Sequence, residues 1–163
     1  MDMDRLTVTA TIYLHIGVDH TTVRKSLAGV PAGFMVLAIG SGTTAAEYFK
    51  HAPPTPLEME SAIQTVEEEV TRARVLTSPD CALLSHDGCI RELAMRSGVA
   101  ASPSMRLSVD AVERQFDLLA ALAQGRPAAS AGIPADSGFA ATLLILREFM
   151  HHLQFSAITV TSP

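Results

Sequence analysis

The chain has 163 residues, ordinary for one domain and short for two, with 48% hydrophobic residues and 18% charged. Its net charge of -5, with Lys and Arg scattered singly, argues against a nucleic-acid footprint, which needs a clustered basic face. No apolar stretch approaches the ~20 residues of a membrane span, and the Met-Asp-Met-Asp start is not a signal peptide. A single domain over 1–163 in a reducing, cytoplasmic setting is therefore expected, without nucleic-acid or membrane partners. Cys81 and Cys89 have no second pair to complete a zinc framework and are expected as reduced, partly buried thiols.

Residues 6–16 alternate and are rich in Thr, Val and Ile, which predicts a strand. Gly17 to Thr22 reads as a turn, Val23 to Leu27 as a second strand and Ala28 to Gly33 as a connection. Phe34 to Ile39 is apolar throughout, as a buried strand would be. It runs into Gly40-Ser41-Gly42-Thr43-Thr44, followed by helical composition from Ala45 to His51. A second helix starts sharply: Thr55 suits the N-cap, Pro56 the first helical position, and Glu58 completes a capping box. It is expected to reach about Arg74 with Met59, Ile63, Val66 and Val70 on one face, and Glu67-Glu68-Glu69 on a solvated one.

Arg74 to Ser78 reads as a short strand, Cys81 to Gly88 is ambiguous, and Ile90 to Arg96 is helical. Leu107-Ser108 opens the next helix, with Ser108 as N-cap and Val109, Val112, Phe116, Leu119 and Leu122 facing inward. Residues 126–135 form a loop. Phe139 to Leu153 is the most apolar helix, and Ile158 to Val160 is the final strand. Three meandering strands followed by crossovers imply a mixed sheet of about five strands.

That order is similar to the second domain of actin-like proteins, and particular residues narrow the likeness. His15-Ile16-Gly17-Val18-Asp19-His20-Thr21-Thr22-Val23 stands where the Ppx/GppA exopolyphosphatase/guanosine pentaphosphate phosphatase family has a phosphate loop of the form DIGGGSTEL. Val36 to Thr44 resembles its third strand, and Pro53-Pro54-Thr55-Pro56-Leu57-Glu58 its PPTPEEL helix start. Leu107 to Arg114, Gly132-Ile133-Pro134, Leu143 to Leu153 and Ile158-Thr159-Val160 follow in the family's order. The resemblance implies an actin-like (ribonuclease H-like) α/β domain with helices on both faces of its sheet.

The departures bear on function. The chain begins at the family's second domain, so the other wall of the cleft is expected to be missing. In the first loop His15 stands for the family's Asp, Val18 and Asp19 for two glycines, and Thr22 for its Glu. Asp87-Gly88-Cys89 stands for a Gly-Gly-Thr turn. A carboxylate at Asp19 repels phosphate, and Thr22 cannot act as a general base; His15 or His20 is the candidate substitute. Gly40 to Thr44 offers backbone donors, hydroxyls and a helix N-terminus, an alternative anion cradle or simply a tight turn. The candidate phosphate-binding residues are Gly17, His20, Thr21, Gly40, Ser41, Gly42, Thr43 and Gly88. Neither Ser85-His86-Asp87 nor His151-His152 has spacing for a triad or a metal pair, so no catalytic residue and no metal is assigned.

Three functions follow. The first is a catalytically silent relative that acts by homo-oligomerisation or by binding a protein partner. The second is a phosphate- or nucleotide-binding domain. The third is an active polyphosphate or guanosine-phosphate phosphatase, the one case in which Mg²⁺ would be a cofactor.

Overall fold

The computed structural model describes residues 9–127 and 132–162. The first strand, β1 (Ala10–Ile16), is continuous with the sequence expectation from residue 10; residues 6–8 lie outside the described residues. It turns into β2 (Thr21–Leu27), which returns antiparallel with Leu14 opposite Val23 and Ile16 opposite Thr21. Ala28 and Gly29, both with positive φ (50° and 80°), make a two-residue hairpin turn of the kind that matches strand twist. Consequently β3 (Val30–Leu37) begins four residues earlier than its composition suggested. It is an edge strand rather than a buried one: Phe34 is 63% and Val36 44% exposed. Pro31 fits there, because an edge strand can leave a backbone position without a donor.

Helix α1 (Ser41–Tyr48) starts four residues before Ala45. Helix α2 (Pro56–Thr71) has the expected capping box: the Glu58 amide donates to Thr55 Oγ1 and the Thr55 amide to Glu58 Oε1. Arg72–Val75 is a 3-10 turn, not a strand; the strand is β4 (Ala82–Ser85), inside the ambiguous segment. Helix α3 (Gly88–Arg96) follows, then β5 (Ser104–Ser108), a strand not expected from the sequence; its polar-apolar alternation Ser-Met-Arg-Leu-Ser is short and runs straight into the Ser108 cap. Ser108 caps α4 (Val109–Ala123) by accepting from the Ala111 amide. Asp136 caps α5 (Ser137–His152), and β6 (Ala157–Thr161) ends the fold.

The sheet has six strands in the order β3-β2-β1-β4-β6-β5, mixed because β1, β4 and β6 run parallel while β2, β3 and β5 run antiparallel to their neighbours. Buried residues of the strands alternate onto one face: Ile12, Leu14, Val23, Leu83, Leu107, Ile158 and Val160. Helix α5 lies over that face and packs against α1, α2, α3 and α4. It is apolar nearly all round, with Leu143, Leu144, Ile145, Leu146, Phe149 and Met150 fully buried, as a helix surrounded by other helices must be.

The opposite face carries Tyr13, His15, Arg24, Phe34, Val36, Arg106 and Thr159, none of them buried. The second helical layer expected there is not present among the described residues. The described helices α1, α2, α3 and α4 all pack against α5 on the buried face.

Candidate functional site

The candidate residues gather at the edge of the sheet where β1, β3 and β4 deliver their C-terminal ends. Gly17 to His20 forms a tight turn closed by the Gly17 amide donating to the His20 carbonyl at 3.0 Å. This turn sits directly on the start of α1. The Ser41 amide donates to Gly17 O at 2.9 Å, and the Gly42 and Thr43 amides donate to Val18 O at 2.9 and 3.1 Å. Thr43 Oγ1 donates to Asp19 O at 3.2 Å and accepts from the Gly40 amide at 3.0 Å.

A helix N-terminus presents unpaired amides that would otherwise attract an anion. Here carbonyl oxygens of the first loop occupy that position. The glycines are what make this approach feasible. A Cβ on Gly40 would stand 2.4 Å from Val18 O, and one on Gly42 would stand 2.6 Å from Val18 Cγ1. A Cβ on Gly17 would stand 2.7 Å from His20 O. Gly17 and Gly40 therefore serve backbone against backbone, and Gly42 makes room for the Val18 side chain.

Of the remaining candidates, Thr21 is fully buried and its hydroxyl donates to Ile39 O at 2.8 Å. His20 is exposed and its ring stands apart from this network. Gly88, at the first position of α3, faces open space. The structure thus brings Gly17, Gly40, Ser41, Gly42 and Thr43 together, and leaves His20 and Gly88 at the rim.

Asp87, given no binding role from the sequence, organises the other half of the edge. The Asp87 side chain is 8% exposed; its Oδ2 accepts from the Ile16 amide at 2.8 Å and its Oδ1 lies 2.6 Å from His15 Nδ1. A carboxylate from the β4–α3 loop thereby ties down the end of β1. Ser85, His86 and Asp87 diverge, which removes any triad: Ser85 Oγ is buried and accepts from the Asp87 amide at 3.1 Å. His86 Nδ1 lies 2.8 Å from Thr161 Oγ1, on the other side of the loop. Their sequence adjacency carried no sign of these partners, since His15 is 72 positions from Asp87.

On the open face beside this edge lies a cavity of about 290 Å³ lined by Tyr13, His15, Arg24, Phe34, His86 and Asp87, among others. The Arg24 guanidinium lies 4.5 Å from the Tyr13 ring centroid, and His86 stacks on the same ring at 6.0 Å. The neighbouring Cys89 thiol is pushed up to about 11, first by burial and then by the Asp87 charge, so it is not a poised nucleophile. Cys81 and Cys89 are both free, and Cys81 is buried.

No protein-family model and no curated protein matches this sequence. Solved structures do match it in fold. A Ppx/GppA enzyme of Aquifex aeolicus superimposes with a TM-score of 0.77 at 17% identity, covering 95% of this chain and 54% of that one. An exopolyphosphatase from Cytophaga hutchinsonii gives 0.73 at 15% identity, over 96% and 54%. An exopolyphosphatase-like protein gives 0.73 at 12% identity, over 98% and 58%. The chain spans little more than half the length of these structures. Its mixed six-stranded sheet and five described helices have the actin-like fold found in one half of Ppx/GppA proteins.

Proposed function

We propose that this chain is an exopolyphosphatase-related domain without phosphohydrolase chemistry of its own, which works by associating with a second copy of itself. One observation carries the first part. The amides of Gly17, Gly40, Ser41, Gly42 and Thr43, which would have to grip a phosphoryl group, already donate to oxygens of the protein. Opening them would expose those carbonyls and break the packing of the first loop on α1. Asp87 adds a carboxylate where an incoming phosphate would meet it, and Asp19 adds another at the exposed turn.

Support for association comes from the uncovered face. Phe34, at 63% exposed, and Val36, at 44%, project onto that face from an edge strand. Edge strands with exposed apolar side chains are surfaces that proteins cover, by pairing or by docking.

Two measurements test the two parts separately. Phosphate release from polyphosphate and from guanosine pentaphosphate, with Mg²⁺ present, is expected at the level of buffer alone; turnover lost on His20→Ala would refute the silent reading. Light scattering after size exclusion is expected to give twice the 17.3 kDa chain mass, falling to the single-chain value in Phe34→Asp. A monomer at every concentration would refute the association.

A further inference from the structure

We infer that Glu67, Glu148 and His152 form a binding site for one divalent transition-metal ion, zinc by its donor set, that joins α2 to α5. Glu148 and His152 are four residues apart on α5 and so share a face, and Glu67 of α2 closes the set. His152 Nε2 lies 2.8 Å from Glu148 Oε2 and 3.8 Å from Glu67 Oε1, and all three donor atoms lie within 4.8 Å of one another. Ligands of a tetrahedral zinc ion, at about 2.0–2.2 Å from the metal, stand roughly 3.4 Å apart. These separations straddle that value, and a small side-chain rotation seats the ion. One nitrogen and two carboxylate oxygens with a fourth position open is a donor set zinc accepts.

Two features set this group apart from an exposed acidic cluster. Glu148 is only 2% exposed, and buried charges are paired or coordinate a metal ion. Arg147 Nη1 holds Oε1 at 2.7 Å, which fixes the orientation of the carboxylate, while Oε2 has His152 alone. Arg147 is in turn held by Glu113 through its Nε at 3.1 Å, so its charge is matched elsewhere and the ligand pair keeps two negative charges for the ion. Solvent reaches the group directly at Glu67, whose side chain is 48% exposed. The adjacent His151 is not part of the group; its ring stands edge-on to His152 and its Nδ1 points to Glu113 at 3.9 Å.

The test is thermal unfolding of the full chain with ZnCl₂, together with the visible absorption of the Co²⁺-loaded protein. The expected result is a rise in midpoint of about 5 °C or more at a hundredfold excess over the Kd, with one ion bound per chain. Glu67→Gln, at an exposed position, and His152→Asn, at a half-buried one, are each expected to lose the rise and the Co²⁺ band while keeping the helical circular dichroism of the unaltered protein. Glu148→Gln is expected to lose them too. Absence of any rise in the unaltered protein would overturn the proposal. So would a rise or a Co²⁺ band that survives in both Glu67→Gln and His152→Asn, which would put the ion elsewhere.

Discussion

Gly40 and Gly42 are held by what surrounds them, and the consequence is measurable. Adding a single methyl at Gly40 places it 2.4 Å from the Val18 carbonyl oxygen, so either the turn or the helix start has to move. Gly40→Ala is expected to destabilise the fold by about 1–3 kcal/mol in urea unfolding, the usual scale for forced overpacking. Unchanged stability would mean that the loop does not rest on α1. Cys89 gives a second residue-scale outcome. With its thiol at about 11 instead of 9.0, it should react with iodoacetamide roughly a hundredfold more slowly than an ordinary thiol at neutral pH, and faster as pH rises toward 11. Reaction at the ordinary rate would show that its burial is not maintained. The sequence displayed the glycines but not their use: GSGT at a strand end is read equally well as a cradle or a turn, and only the position of Val18 O decides. Asp87 was illegible for the same reason, because its partners, His15 and the Ile16 amide, are brought to it by strand pairing.

At the scale of elements, local chemistry was legible wherever it was self-contained. The Thr55, Pro56, Glu58 start of α2 and the Ser108 cap of α4 rest on contacts within four residues, and both stand as the sequence indicated. Where an element depends on distant neighbours the signal failed. β5 exists because Met105 and Leu107 pair with Val160 and Ile158 of β6, and residues 72–75 continue α2 as a 3-10 turn closed by the Leu76 amide donating to Ala73 O. The capping box also sets a pH dependence. The Thr55 amide chiefly, then the Lys50 amide and His51, hold the Glu58 carboxyl at about 2 against an ordinary 4.5. A carboxyl lowered on folding stabilises the fold above its unfolded value, and that contribution disappears as pH falls from about 4.5 to about 2. Glu58→Gln should therefore lower the urea midpoint at pH 7 and have little effect near pH 2. An equal effect at both pH values would contradict this origin.

For the whole molecule, what matters is that one face of the sheet is covered by helices and the other is not. Composition announced a sizeable core, and the buried Ala140–Leu146 stretch of α5 is where its most apolar run went. The one-sided arrangement was not readable from strand patterns, because alternation shows that a strand has two unlike faces without saying what covers either. Among the described residues no helix is long and apolar enough to cross a membrane. The uncovered face, with Phe34, Val36 and Tyr13 around Arg24, is then the surface whose covering defines how the domain acts. At the edge beside it, amides that could have held phosphate are bonded inward. Titrating inorganic phosphate and short polyphosphate into the ¹⁵N-labelled protein reads those amides one by one. The amide resonances of Gly17, Gly40, Ser41, Gly42 and Thr43 are expected to stay in place to millimolar ligand, and a saturable movement of these resonances together would contradict the account.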